Sequence, residues 1–254
     1  MSLASRNAIV TGSTSGIGLA IARALAKEGA NIMINGFGEA GAIETIRAGI
    51  ESEFGVRCIY NGADMSKGDE IAAMVKAAEE KLGSVDILVN NAQEVPNGRL
   101  LDVEDAAFIA GFESGPLATF RLMKLVHPHM VARGGGTIFN LASSAGIRWD
   151  MSGYGAYGAV KQATRVLTRA GAAEWGRENI RVLTIAPHAE SPGLKWWIEN
   201  NPKEAEAFFR TIPLGRIGRL EEDVGRALVA LCGQDLSYLT GATIPLDGGQ
   251  ANFD

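Results

Sequence analysis

Cysteine is scarce in this chain: Cys58 and Cys232 lie far apart and form neither a CxxC motif nor a metal-spaced pair. They read as buried thiols of a reducing compartment. Positive charge is not in excess either, with 24 Lys and Arg against 29 Asp and Glu and a net charge of −5. That balance argues against a nucleic-acid or anionic-membrane partner. No apolar run approaches the roughly 18 residues of a membrane span. The opening MSLASRNAIV lacks the basic region and long apolar stretch of a signal peptide. Missing as well are any Pro/Ser-rich linker, internal repeat or low-complexity segment. What is left is 254 residues, 46% of them hydrophobic, enough to bury a substantial core. The expectation is one soluble, cytoplasmic domain over residues 1–254.

Short apolar runs alternate with longer segments of helical spacing. Strands are expected at Asn7–Val10, Asn31–Asn35, Arg57–Asn61, Val85–Asn90, Thr137–Leu141, Arg181–Ala186 and Ala242–Leu246. Most are continuously apolar, as strands covered on both faces are. Between them, Ile17, Ile21 and Leu25 fall on one helical face with Gly29 as the stop. Ile71, Met74, Val75 and Ala78 repeat the pattern up to Gly83. A βαβαβ order with short connections implies an α/β fold, a Rossmann-type doubly wound parallel sheet of about seven strands with helices on both faces.

In that setting the stretch VTGSTSGIG, residues 10 to 18, gains meaning. It follows the first strand and opens the first helix, where a pyrophosphate meets the positive helix end. Gly12 allows the tight turn, Gly16 lets backbone approach the phosphates, and Gly18 lets the helix pack closely on the sheet. Further along stand Asn90-Asn91-Ala92 after the fourth strand and Ser144 thirteen residues before Tyr157. Tyr157-Gly-Ala-Val-Lys161 and a terminal Leu246-Asp247-Gly248-Gly249 complete the set.

Together these residues resemble the short-chain dehydrogenase/reductase superfamily, from Arg6 to Gly249. In the first half, GSTSGIG, INGFG and GADMSKG look most like bacterial 3-hydroxybutyrate dehydrogenases. The resemblance implies exchange of hydride between a secondary alcohol and a carbonyl, with a nicotinamide coenzyme. It implies a homotetramer with the helix of Tyr157 and the strand near Ala242–Leu246 at its interfaces, and a substrate lid over about 188–212. It places the coenzyme on Gly12, Ser13, Ser15, Gly16, Ile17, Gly18, Gly36, Phe37, Asp64, Met65, Asn91, Ala92, Tyr157, Lys161 and Pro187. Asp64 matches the family's adenine contact, although a turn or helix-cap residue would look the same.

An acidic residue at the end of the second strand normally accepts the ribose hydroxyls of NAD, whereas Arg or Lys suits NADP. Asn35-Gly36-Phe37-Gly38 supplies neither, and no Lys or Arg occurs from Ser13 to Ser15 or from Asn31 to Ala40. A 2′-phosphate would find no charge partner there. NAD is the expected coenzyme.

Lys161 lies one helical turn from Tyr157 on the same face. An ammonium there, with the nicotinamide's positive charge, is expected to lower the phenol from its usual pKa of about 10. By resemblance Tyr157 transfers the substrate's proton, Ser144 hydrogen-bonds the carbonyl or alcohol oxygen, and Lys161 also holds the nicotinamide ribose. Tyr154 has Gly158 four residues on and cannot make the same pair.

Three departures from the family pattern flank the same space. Asn-Asn-Ala-Gly ends here in Gln93, an asparagine three residues before a Gly-Pro is Phe112, and the Pro-Gly after the sixth strand is Pro187-His188. The missing asparagine ordinarily binds a water that links the lysine to solvent. Protons then need another route, through Glu113, Gln93 or His188, or water entering directly through the cleft. The His and Lys that hold a small carboxylate in the hydroxybutyrate enzymes map to Gly146 and Tyr154, so another substrate is expected. Gln93, Arg148, Trp149, Met151, Tyr154, His188, Trp196 and Trp197 crowd the segments that bound the pocket. They suit a bulkier or planar alcohol or ketone, with Arg148 as an anion partner. The same side chains would equally serve as subunit contacts or core.

Other polar groups carry less. His127-Pro128-His129 sits at an expected helix end, and side chains two apart do not share a helical face, so no metal site is expected. Glu79-Glu80-Lys81 and Glu221-Glu222-Asp223 read as solvated faces and a helix start. Two rival functions stay open. One is non-redox catalysis on the same scaffold, against which the intact glycine fingerprint speaks. The other is a nucleotide-binding sensor with altered or weak activity, for which Phe112 speaks.

Overall fold

The computed structural model describes residues 2–148, 153–251 and 253. Seven strands form one sheet: β1 (Asn7–Val10), β2 (Asn31–Asn35), β3 (Cys58–Asn61), β4 (Ile87–Asn90), β5 (Gly136–Leu141), β6 (Ile180–Pro187) and β7 (Thr243–Leu246). Their spatial order is β3-β2-β1-β4-β5-β6-β7, with every neighbouring pair parallel. The doubly wound α/β sheet expected from the alternation is the one observed. Each strand starts within two residues of its expected position.

The continuous apolar runs are explained by the two-residue period of a strand. Ala8 and Val10, Ile32 and Ile34, and Ile87 and Val89 turn to one side, against Ile21 and Leu25 of α1 (Gly16–Lys27) and Leu228 of α9 (Arg226–Leu231). Ile9, Met33 and Leu88 turn to the other. There they meet Ile71 and Met74 of α3 (Gly68–Leu82) and Leu122 and Val126 of α5 (Ala118–Ala132). Alternation breaks down only at the edge, where β3 buries Cys58 but exposes Tyr60. The remaining helices are α2 (Ala40–Phe54), α4 (Asp105–Phe112), α6 (Gly155–Trp175), α7 (Pro192–Asn200) and α8 (Pro202–Phe209).

The expected stops are in place. α1 ends at Lys27 and the chain turns through Gly29, while α3 is closed by Gly83 in the left-handed region, its N–H donated to the Glu79 carbonyl. His127 and His129 depart from expectation, since α5 runs through Pro128 to Ala132 instead of ending there. Each imidazole faces its own carboxylate: His127 Nε2 lies 2.6 Å from Glu178, and His129 Nδ1 lies 3.7 Å from Glu79. No helix among the described residues is long and apolar enough to cross a membrane.

Strand order reverses between β1 and β4. The chain after β1 winds outward to β2 and β3, and the chain after β4 winds to β5, β6 and β7. A crevice opens at the carboxyl ends of the strands where this reversal occurs. The glycine-rich turn, Asn91 and the start of α6 all belong to segments at that end.

Candidate active site

The turn between β1 and α1 is held open by tight packing. Gly12 has φ +62, and a Cβ there would approach Asn91 Nδ2 to 2.8 Å and the Ala92 backbone to 2.9 Å. At Gly18 a Cβ would overlap the Gly12 carbonyl oxygen, so both positions exclude any larger residue. Asn91 clamps this turn, donating from Nδ2 to the Thr11 and Gly12 carbonyls at 2.9 and 3.0 Å. Ser15 precedes α1 in extended backbone, with no side chain capping the helix. The first-turn amides, in the region of Gly16, Ile17 and Gly18, are thus left for an anionic ligand. Bare backbone and an uncapped helix start fit a pyrophosphate.

Several residues named from the sequence are committed elsewhere. Ser13 is fully buried, its Oγ donating to the Val10 carbonyl at 2.6 Å and accepting from Asn35 N at 3.0 Å. That hydroxyl ties β1 to β2 and does not face a ligand. Met65 is buried in the core. Asp64 is exposed enough to serve a nucleotide but also organises its own turn, accepting from Ser66 N at 2.8 Å, which holds its carboxyl below the usual range.

Sequence reasoning missed Asn35. Its Nδ2 donates to the Asn61 and Ala63 carbonyls and its Oδ1 accepts from Gly12 N at 3.2 Å, so one amide joins the ends of β2 and β3 to the glycine turn. Thr14 Oγ1 donates to the Phe37 carbonyl and Tyr60 to the Gly36 carbonyl. Phe37 itself is exposed, at 68%.

Across the crevice, α6 carries Tyr157 and Lys161. The Lys161 ammonium lies 5.5 Å from the Tyr157 ring centroid and donates to the Leu141 carbonyl at 2.7 Å. Both side chains belong to one face of the helix, as their spacing requires. Without the nicotinamide's charge, their proton affinities are set by burial. Burial pushes the Tyr157 phenol up to about 12, opposed by a hydrogen bond with Ser143 and assisted by neighbouring Tyr154. Burial also lowers Lys161 to about 7. A desolvated amine turned to a backbone carbonyl provides no strong cation beside the phenol, so burial dominates the tyrosine.

Ser143, and not Ser144, is the hydroxyl that meets Tyr157. Ser143 stands one residue beyond Ala142, which still hydrogen-bonds into the end of the sheet. It caps the short 3₁₀ turn Ser144–Gly146, accepting from Ala145 N at 3.2 Å. Ser144 is the first residue of that turn, and its carbonyl accepts from Ile147 and Arg148. The family count of thirteen residues thus falls one position past the hydroxyl that meets the phenol.

Phe112 does not sit beside the lysine. Its ring packs against Phe108, 5.0 Å between centroids, on the outer side of α4. A π-helical turn, Glu113–Leu117, follows and contains Pro116, whose missing N–H favours the wider ring. Ser114 takes the inward position, donating to the Ala110 carbonyl and accepting from Glu94 N. Gln93 lies against Gly115, and its buried Nε2 has no partner among the described residues. Glu113 is exposed.

Of the substrate-side residues, His188 is half-buried and tilts against Phe208 of α8 at 5.1 Å. Burial lowers its pKa, opposed by Asp247 and assisted by Arg148. Tyr154 stands 6.4 Å from Tyr157, ring to ring, and is partly exposed. Trp196 is exposed at 64% on α7, and Leu100 at 76% lies against Gly155 at the start of α6. Trp149 and Met151, and the side chain of Trp197, lie outside the described residues.

Comparison with known proteins agrees with this geometry. Residues 12–251 match the family described as enoyl-(acyl carrier protein) reductase. The 12α-hydroxysteroid dehydrogenase of a Clostridium species is 35% identical over 249 residues, covering 95% of each chain. A short-chain alcohol dehydrogenase structure from Sinorhizobium meliloti superposes with a TM-score of 0.90 at 33% identity, covering 98% of this chain and 97% of that one. L-sorbose reductase of Gluconobacter frateurii, in complex with NADPH and L-sorbose, gives 0.90 at 29% identity over 100% and 99%.

Proposed function

The chain belongs to the short-chain dehydrogenase/reductase superfamily, and from that premise we propose that it is an NAD-dependent oxidoreductase of a bulky, largely apolar secondary alcohol or ketone. Hydride exchange between alcohol and carbonyl is its reaction class. Two features support the reading: the Ser143–Tyr157–Lys161 cluster and, at the same carboxyl end of the sheet, a glycine turn whose helix start is left uncapped.

The nicotinamide, when bound, accepts or delivers the hydride and in its oxidised form adds a positive charge. All proton handling falls to the chain. Tyr157 gives its phenolic proton to the substrate oxygen in reduction and takes it back in oxidation. Ser143 hydrogen-bonds that oxygen and the phenol together. Lys161 holds the nicotinamide ribose and supplies charge to the phenol once the site is filled. If Ser143 has this role, Ser143→Ala lowers turnover by about 10²-fold, the cost of losing one oriented donor, while Ser144→Ala stays close to wild type. Initial rates of the two variants with a common substrate decide between them.

Three features support the finer parts of the reading. Asn35-Gly36-Phe37-Gly38 carries no cation for a 2′-phosphate and resembles the turn of 3-hydroxybutyrate dehydrogenases. NADPH in the sorbose reductase complex makes the coenzyme a property of each member, to be read from that turn. Leu100, Tyr154 and Trp196 expose large apolar surface about the start of α6 and on α7, suited to a bulky substrate, and residues 188–212, with α7 and α8, serve as its lid. Phe108, Ile109, Leu117, Phe120 and Val166 form an exposed apolar face on α4, the turn after it, α5 and α6. That face supports a homotetramer, in which residues 1–254 act as one cytoplasmic unit.

Titrating NAD(H) and NADP(H) by fluorescence, followed by a panel of alcohols and ketones, tests the proposal. NAD(H) is expected to bind at least about tenfold more tightly, as an unpaired buried or half-buried charge implies. Binding without turnover of any substrate would favour a sensor instead.

A further inference from the structure

At the amino ends of the strands, opposite the coenzyme crevice, a polar-walled cavity of about 270 Å³ opens beside β1, β4, β5 and β6. Arg6 precedes β1, Asp86 precedes β4, Arg133 follows α5, and Arg181 is the second residue of β6. Gly134, Gly135 and Gly136 add no side chain to the wall. β6 is eight residues long, so about 20 Å of strand separates this cavity from the crevice.

Charge in the cavity does not balance. Three guanidiniums line it against one carboxylate, and that carboxylate is already engaged. Asp86 Oδ2 accepts from Asn7 N at 2.8 Å and from Ser84 Oγ at 3.0 Å, and its Oδ1 accepts from Arg133 Nε at 3.0 Å. Arg181 donates to neutral acceptors: Nη2 to the Leu231 carbonyl at 2.7 Å and to Thr137 Oγ1 at 3.1 Å, and Nη1 to the Leu236 carbonyl at 3.2 Å. Those bonds fix its plane and leave its charge uncompensated. Arg6, half-buried, makes no side-chain hydrogen bond or ion pair among the described residues. Burial lowers the Arg181 pKa, and the like charge of Arg6 adds to that. The Cys232 thiol in the same wall is raised by burial to about 12, so it is neutral and supplies no counter-charge. Like charges held together away from bulk water repel. A doubly charged oxyanion offsets them, because its oxygens match the planar fork of a guanidinium.

We propose that this cavity is a second ligand site, which takes a small dianionic oxyanion, a phosphate group or a dicarboxylate, on Arg6, Arg133 and Arg181. Its walls carry no large apolar side chain, so it selects for charge and size and not for a ring system. Its volume falls just below that of pockets for drug-sized ligands, which suits an ion the size of phosphate or malonate. Lying at the far end of the sheet, it can be filled together with the coenzyme crevice.

Calorimetric titration of the full chain with inorganic phosphate and with malonate, each against sodium chloride of matched ionic strength, tests this. It is run with and without saturating NADH, which covers the glycine turn, and on Arg6→Gln, Arg6→Lys and Arg6→Glu. At least one probe is expected to bind with a dissociation constant of about 1 mM or below and to keep that affinity with NADH present. The tighter probe tells phosphate from carboxylate chemistry. Arg6→Gln weakens binding at least about tenfold, as loss of a charged hydrogen bond does, and Arg6→Lys recovers part of it. Arg6→Glu supplies the missing carboxylate from within. It is expected to raise the melting temperature in anion-free buffer by about 2–4 °C and to abolish the response to both probes. Binding that NADH removes and Arg6→Gln leaves unchanged places the anion at the glycine turn and overturns the proposal. Absence of binding by either probe overturns it as well. So does a chloride titration that matches phosphate, since screening then accounts for the whole effect.

Discussion

Tyr157→Phe is expected to lower turnover by about 10²- to 10⁴-fold, the range for loss of a general acid–base, with coenzyme affinity nearly intact. The substitution removes one hydroxyl and keeps the ring in its buried place against Tyr154 and Lys161. Its stability cost is small, since the phenol's side-chain hydrogen bond is with Ser143 and one such bond contributes about 1 kcal/mol. Burial raises the phenol to about 12 in the coenzyme-free protein, and the wild-type rate follows the protonation of that group in the loaded enzyme. A phenol that stays protonated through neutrality is ready to donate, so reduction is nearly flat from about pH 6 to 9. Oxidation needs the proton acceptor, whose fraction rises as pH approaches the pKa, so oxidation accelerates with pH. Tyr157→Phe loses both behaviours. Steady-state rates in each direction across that range check this, and wild-type rates in the variant would place the proton donor elsewhere.

The parts of this molecule that obey local rules were legible in the sequence. Strand positions followed from apolar runs because the sheet is covered on both faces, and Gly29 and Gly83 ended helices because the chain there needs left-handed backbone. The glycine turn was legible for a similar reason: a Cβ at Gly12 or Gly18 collides with backbone, so the residue choice records the geometry. What sequence reasoning got wrong involved register or environment. Counting thirteen residues back from Tyr157 gave Ser144, because a spacing rule does not record which of two adjacent hydroxyls an irregular segment turns to the phenol. The strand end would have pointed to Ser143, which follows β5 directly after Ala142. Phe112 stands at the sequence place of the family's water-binding asparagine, but a π-helical turn follows it at Glu113–Leu117 and its ring packs against Phe108. The raised phenol of the coenzyme-free protein was not legible either, because burial of Lys161, which weakens it as a cation, is a property of packing alone.

Lys161→Met is expected to abolish turnover and weaken coenzyme binding while making the coenzyme-free protein more stable at neutral pH. Lys161 is 5% exposed, and its proton is held in the folded state only up to about pH 7, against the ordinary value of 10.5. Below pH 7 both folded and unfolded chains carry the charge, and the folded state bears the full cost of burying it. Between pH 7 and 10.5 the unfolded chain remains protonated while the folded one does not, so that cost is relieved as pH rises. Each unit of pH in this window changes stability by up to about 1.4 kcal/mol. The Leu141 carbonyl offsets a fraction of the penalty through its 2.7 Å bond, and Met leaves that oxygen without the bond, so the net gain at pH 7 is about 1–3 kcal/mol. Met fills a similar volume and carries no charge to desolvate. Chemical denaturation of both proteins at pH 7, 8 and 9 measures the effect. Their difference should be largest at pH 7 and shrink toward pH 9; Cys58 and Cys232, raised from 9.0 to about 12, begin to ionise in the unfolded chain near pH 9, but do so alike in both proteins. A site that stabilises the fold when its lysine is removed is one kept at a cost for binding and chemistry. A pH-independent difference would show instead that Lys161 is held as a stable cation, and that the phenol's proton is governed by that charge and not by burial.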